Sequence, residues 1–127
     1  MKLRIRGNSL RLRLLRGEVE RFGATGRLTE TIQFGESQLS YSLESCSEAQ
    51  TIRANFSDNR ITVIIPDKTA RNWVESERIS LTNEQLFENG ASENVLQILI
   101  EKDFVCLDRK NDPDNADAFP HPTGKCG

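Results

Sequence analysis

At 127 residues, 36% of them hydrophobic and 28% charged, the chain is long enough to bury one modest core without disulfides. No stretch approaches the roughly 18 apolar residues of a membrane-spanning helix, and three scattered cysteines suit reduced thiols better than a disulfide framework. The formal charge of −2 hides an asymmetry, because residues 1–30 carry eight Lys or Arg against three Glu and the remainder nine against sixteen acidic residues. A basic leading segment on an acidic body points to a polyanionic partner or to two mutually attractive surfaces.

The opening Met-Lys-Leu-Arg-Ile-Arg places charges where an export signal needs apolar residues, which predicts a cytoplasmic protein. Leu3 and Ile5 alternate with Arg4 and Arg6, and after a Gly7-Asn8-Ser9 turn Leu10, Leu12 and Leu14 alternate with Arg11 and Arg13. That period of two predicts half-buried strands. Residues 16–24 switch period: Val19 and Phe22 lie three apart, Glu18 and Glu20 occupy a first helical turn, and Gly23 and Gly26 end the element. Strands around 28–34 and 39–43 follow, joined by a tight Gly35-Glu36-Ser37 connection. Ile52, Ala54 and Phe56 alternate in a further strand, as do Ile61, Val63 and Ile65. Pro66 and Asp67 introduce a helix carrying Ala70, Trp73 and Val74. Ile79 and Leu81 open the next strand, a wide loop holds Asn89-Gly90, and Val95 to Ile100 form the most apolar strand. Residues 108–127, with three of the four prolines and four Asp, read as a mobile tail on a single domain of residues 1–107.

Residues 8–28 align with 59–79 without a gap at an offset of 51. Leu10, Leu12 and Leu14 match Ile61, Val63 and Ile65; Val19 matches Ala70; Phe22 matches Trp73; Leu28 matches Ile79. Two copies of strand, helix and returning strand, about 1–50 and 51–107, are each too small to bury a core alone. The expected fold is therefore mostly β with two short helices: a pseudo-two-fold β-barrel closed between two internal repeats.

The Gly7-Asn8-Ser9 turn, the alternating strand to Leu15, the Glu18–Phe22 helix, Gly26 and the 28–43 hairpin together resemble the swapped-hairpin barrel of the AbrB and MazE-type family. The second copy has Pro66 where that family's strand ends in proline, but Asp58-Asn59-Arg60 replaces its turn; the first copy has Leu15 at the proline position. The resemblance implies a family dimer fused into one chain, with a DNA-binding regulatory or antitoxin role. The whole chain is also similar to a small uncharacterised bacterial family that opens Lys-Leu-Arg-Ile-Arg-Gly-Asn-Ser and closes its fold with Ile-Glu-Lys-Asp-Phe.

Two constellations could carry chemistry. Arg4, Arg6, Arg11 and Arg13 project from one side of the leading strands, with Arg16 just beyond. Such a row can neutralise phosphates of duplex DNA, and a guanidinium can read guanine in the major groove. It can equally meet an acidic protein partner or stand as a solvated face that guards an edge. The second copy has Thr62 and Ile64 in place of Arg11 and Arg13, so the basic surface is not doubled. Cys106, His121 and Cys126, with Cys46 as a fourth, are ligand types that zinc prefers, although no Cys-x-x-Cys pair is present. A tail docked through that metal makes the alternative reading a metal-binding or protein-interaction domain. Catalysis finds no support: the sole histidine lies in the tail, and no glycine-rich phosphate loop opens a helix. The sequence reads as a non-enzymatic binding protein, with Phe22 and Trp73 as core residues.

Overall fold

Among the described residues the alternating segments become eight strands, and the two segments of helical period become two helices. The computed structural model describes residues 1–89 and 92–103. Its elements run β1 (Lys2–Ile5), β2 (Ser9–Leu14), α1 (Arg16–Thr25), β3 (Arg27–Phe34), β4 (Ser37–Cys46), β5 (Arg53–Ser57), β6 (Arg60–Pro66), α2 (Asp67–Glu75), β7 (Ser80–Asn89) and β8 (Ser92–Lys102). The first sheet has the order β1-β2-β8-β7 and the second β3-β4-β6-β5. Each sheet is two antiparallel hairpins laid side by side, so the central pairs, β2 with β8 and β4 with β6, run parallel.

Turn chemistry sets the hairpins. Asp58 and Asn59 both adopt positive φ, 52° and 60°, between the paired Ser57 and Arg60. This is the backbone that a two-residue connection needs to match strand twist, and Asn and Asp tolerate it better than most residues. Asn89, expected in a wide loop, ends β7, and Gly90 lies outside the described residues. Strand pairing continues out to Asn89 opposite Ser92.

The inward leucines align in rows across the sheets. Leu3, Leu12, Ile100 and Leu81 are successive register partners in the first sheet; Leu28, Leu43, Val63 and Ala54 are their counterparts in the second. The two inner faces and the inner sides of both helices form one apolar cluster. Full burial of each large side chain there contributes roughly 1.5–3 kcal/mol.

The expected barrel does not close. Among the described residues the structure has two open four-stranded sheets, and side chains bridge the seams between them. Along one seam Asn83 Nδ2 donates to the Ile52 carbonyl at 2.5 Å, and the Ala54 N–H donates to Gln85 Oε1 at 2.6 Å. Along the other, the Met1 amino group pairs with Glu18 and, at 3.1 Å, with Glu30. A side chain inserted between two edges holds the backbones beyond the roughly 4.8 Å spacing of a ladder. Tyr41 Oη donates to the Met1 carbonyl at 2.7 Å. Burial, with the charges of Glu30 and Glu18, pushes the Tyr41 hydroxyl pKa up and so preserves that donor.

The helices pack across one end of the sandwich. Glu18 Oε1 accepts the Leu15 N–H at 2.8 Å and so satisfies a donor at the start of α1. Gly26 at φ 75° ends that helix, its N–H donating to the Phe22 carbonyl at 2.7 Å. Phe22 and Trp73 meet edge to face, centroids 6.3 Å apart and planes at 66°. Trp73 Nε1 donates to the Ile79 carbonyl at 3.0 Å. Lys102 Nζ stands 5.6 Å from the indole centroid and donates to the Ser76 carbonyl at 2.8 Å. Burial lowers the Lys102 pKa, and the charge of Glu77 opposes that shift.

Two residues matched in the sequence sit differently: Leu28 faces Leu43, whereas the residue facing Ile100 is Leu81 and not Ile79. Ile79 is half exposed and lends its carbonyl to Trp73 and to the Lys102 N–H.

Candidate nucleic-acid interface

β1 and β2 turn their leucines inward, and that parity drives their basic residues onto the outer face of the first sheet. Arg4 and Arg11 are register partners, and so are Lys2 and Arg13. Continuing across the sheet, Arg11 lies beside Leu99 and Thr82, and Arg13 beside Glu101 and Ser80. Arg6 is exposed at the β1–β2 turn, held by an N–H bond to the Ser9 carbonyl and a bond from Ser9 Oγ to its own carbonyl. β1 is an edge strand and β2 pairs along its length with β8, so these basic side chains lie along one side of the sheet's outer face.

Arg16 does not join this group. It opens α1, is almost fully exposed, and pairs with Glu20 one turn on at 3.8 Å. The sequence reading missed Lys2, which stands 3.6 Å from Asp103, and Glu101. The Glu101 carboxylate takes an ion pair from Arg13 and lies 3.8 Å from Arg11 Nε. Arg11 and Arg13, two apart on one face of β2, repel one another; one carboxylate of β8 between them relieves part of that cost. Glu101 sits 88 positions from Arg13 and arrives only through the parallel β2–β8 pairing, so no local pattern announces it.

Next to Arg11 the outer face is hollowed to about 610 Å³, lined by Ser9, Arg11, Thr82, Glu84, Gln97 and Leu99. The corresponding face of the second sheet carries Asn55, Thr62, Ser42 and Thr29 in one row and Arg53, Ile64, Glu44 and Arg27 in the next. Arg27 and Arg53 lie on its opposite edge strands, Arg60 opens the central strand β6, and Arg27 pairs with Glu44 at 3.7 Å. Basic side chains facing each other as register partners are found on the first sheet, at Arg4–Arg11 and Lys2–Arg13.

Of the metal candidates, Cys106, His121 and Cys126 lie outside the described residues. Cys46 is a half-buried free thiol at the end of β4. Among the described residues no cluster of three His, Cys, Asp or Glu is placed to hold a metal, and no helix is long and apolar enough to cross a membrane.

One family model matches residues 1–123 of this chain, nearly its whole length. The chain belongs to DUF7009, a family of unknown function. Neither the curated proteins nor the solved structures contain a match to it. For this DUF7009 chain the match is consistent with the uncharacterised family expected from the sequence.

Proposed function

We propose that this DUF7009 protein is a non-enzymatic regulator that binds duplex DNA through the β1–β2 ribbon. The observation that carries the reading is the register of that ribbon, which puts Arg4 beside Arg11 and Lys2 beside Arg13 on one outward face. Guanidinium groups presented from the edge half of a sheet face can reach phosphates and the guanine edges of a major groove. Glu101 holds Arg11 and Arg13 in place and tempers their charge.

The reading includes the AbrB and MazE-like architecture, with two repeats fused in one chain. Each sheet combines the leading hairpin of one half with the trailing hairpin of the other, β1–β2 with β7–β8 and β5–β6 with β3–β4. That exchange is what a swapped-hairpin pair requires. Related bonds recur: the Gln97 N–H donates to the Asn8 carbonyl and the Ser40 N–H to that of Asn59, at 3.1 and 3.0 Å. The Lys102 N–H reaches the Ile79 carbonyl as the Ser45 N–H reaches that of Gly26. β2 and β6 also share one succession of half-buried and buried positions. An antitoxin-type role in the cytoplasm follows from the same family likeness.

The test is a salt titration of duplex binding. Contact with about three phosphates gives log affinity a slope near −3 against log salt. Changing Arg11 and Arg13 together to Ala should abolish binding at low salt. A wild-type protein that leaves duplex DNA unbound at roughly 50 mM salt would remove the proposal.

A further inference from the structure

Glu101 meets both of its arginines at the same kind of atom. Arg13 Nε donates to Glu101 Oε1, and Arg11 Nε lies 3.8 Å from that oxygen. A carboxylate engaged at Nε leaves the two Nη groups of each guanidinium, the fork that meets a pair of acceptors bidentately. Arg13 and Arg11 are only 17% and 30% exposed, so their stems lie against the sheet, whereas Lys2 on the edge strand is 70% exposed. Side chains already held in place lose little freedom on binding.

We infer that Arg11 and Arg13 each read a guanine, two base steps apart on one strand of a duplex, with Glu101 positioning both. The inference rests on the duplex-binding reading above and adds which sequence is bound. Spacing selects it. Residues two apart on a strand share a face about 6.6 Å from each other, and bases two steps apart in a duplex are separated by about 6.8 Å. Both guanidinium groups leave β2 on the same side, so they approach the same DNA strand. Guanine shows two acceptors, N7 and O6, side by side in the major groove, which matches an arginine fork. Register partners such as Arg4 and Arg11 stand roughly 5 Å apart. That distance fits neither one base step nor two, so Arg4 is not the second reader.

Glu101 has a second effect. Its charge cancels one of the two arginine charges, which weakens attraction to any phosphate backbone and leaves base contacts to decide binding. On the second sheet the central strand β6 turns Thr62 and Ile64 outward, so the described residues carry one such arginine pair per chain.

Selection from a duplex library with a randomised core, using the full chain at about 150 mM salt, tests this. Enriched sites should carry guanine, any base, then guanine on one strand. In fluorescence anisotropy, replacing either guanine should weaken binding at least about fivefold. Substituting 7-deazaguanine, which lacks the N7 acceptor, should also weaken it. Arg11→Ala and Arg13→Ala should each erase the preference at one of the two guanines, while Lys2→Ala should weaken every duplex alike. Glu101→Gln should reduce the preference at both positions while low-salt affinity for any duplex rises, a combination that a purely structural role would not give. Near-ultraviolet circular dichroism of buried Trp73 should stay unchanged in all four variants, which separates these effects from loss of the fold. Four results overturn the inference and leave the duplex-binding reading standing: binding without base preference, guanines at another spacing or on opposite strands, a preference that survives both arginine variants, or one indifferent to Glu101→Gln. Failure to bind any duplex at low salt removes that reading, and the inference with it.

Discussion

Gly23 of α1 lies so close to Val74 of α2 that a Cβ at Gly23 would stand 2.7 Å from Val74 Cγ1. Helix propensity alone favours alanine over glycine by up to about 1 kcal/mol. Here the contact opposes it, because an added methyl has to push apart the helices whose packing also holds Phe22 against Trp73. Forcing an extra carbon into a packed contact costs typically about 1–3 kcal/mol.

Gly23→Ala should therefore destabilise the protein by up to about 2 kcal/mol, the overpacking cost less the propensity gain. Combined with Val74→Ala, the same change should become neutral or stabilising relative to Val74→Ala alone, since the clashing methyl is gone. Urea unfolding followed by Trp73 fluorescence measures both, and additive effects would show that the contact does not constrain the helices.

Glu18 makes stability depend on acid. Burial acts to raise its pKa, but the hydrogen bonds from the Met1 amino group and the Leu15 N–H, with the charges of that amino group and Arg21, outweigh it. The carboxyl is held below its ordinary value. A depressed carboxyl stabilises the fold above its unfolded-state pKa, about 4.3, and that contribution disappears as pH falls through the folded value. Wild type should exceed Glu18→Gln in melting temperature near neutral pH, and the gap should shrink steadily below about pH 4. A gap that stays constant from neutral to acid would contradict the ion pair.

Glu101→Gln should tighten duplex binding. Removing that carboxylate leaves Arg11 and Arg13 with more positive potential on the outer face, and low-salt affinity should rise by roughly three- to tenfold with a steeper salt slope. Fluorescence anisotropy with a labelled duplex decides it. Unchanged affinity would mean that these two arginines do not face the DNA.

Local structure is what can be read directly from the chain. The Leu10–Leu12–Leu14 alternation foretold β2, the spacing of Val19 and Phe22 the inward side of α1, and Gly26 its end. Each follows from steric rules acting within a few residues, so the chain displays them directly. The tight turn at Gly35 likewise anticipated the β3–β4 hairpin.

Tertiary structure decided everything that joins distant segments. The parallel pairing of β2 with β8 brought Glu101 beside Arg13 and left Arg16 apart on its helix. The meeting of edge strands through Asn83, Gln85 and Glu30 kept the sheets open where a barrel was expected. Periodicity records which way a residue points and is silent about which strand lies beside it. Register between remote strands depends on the whole core packing at once, and no window of the sequence contains that sum.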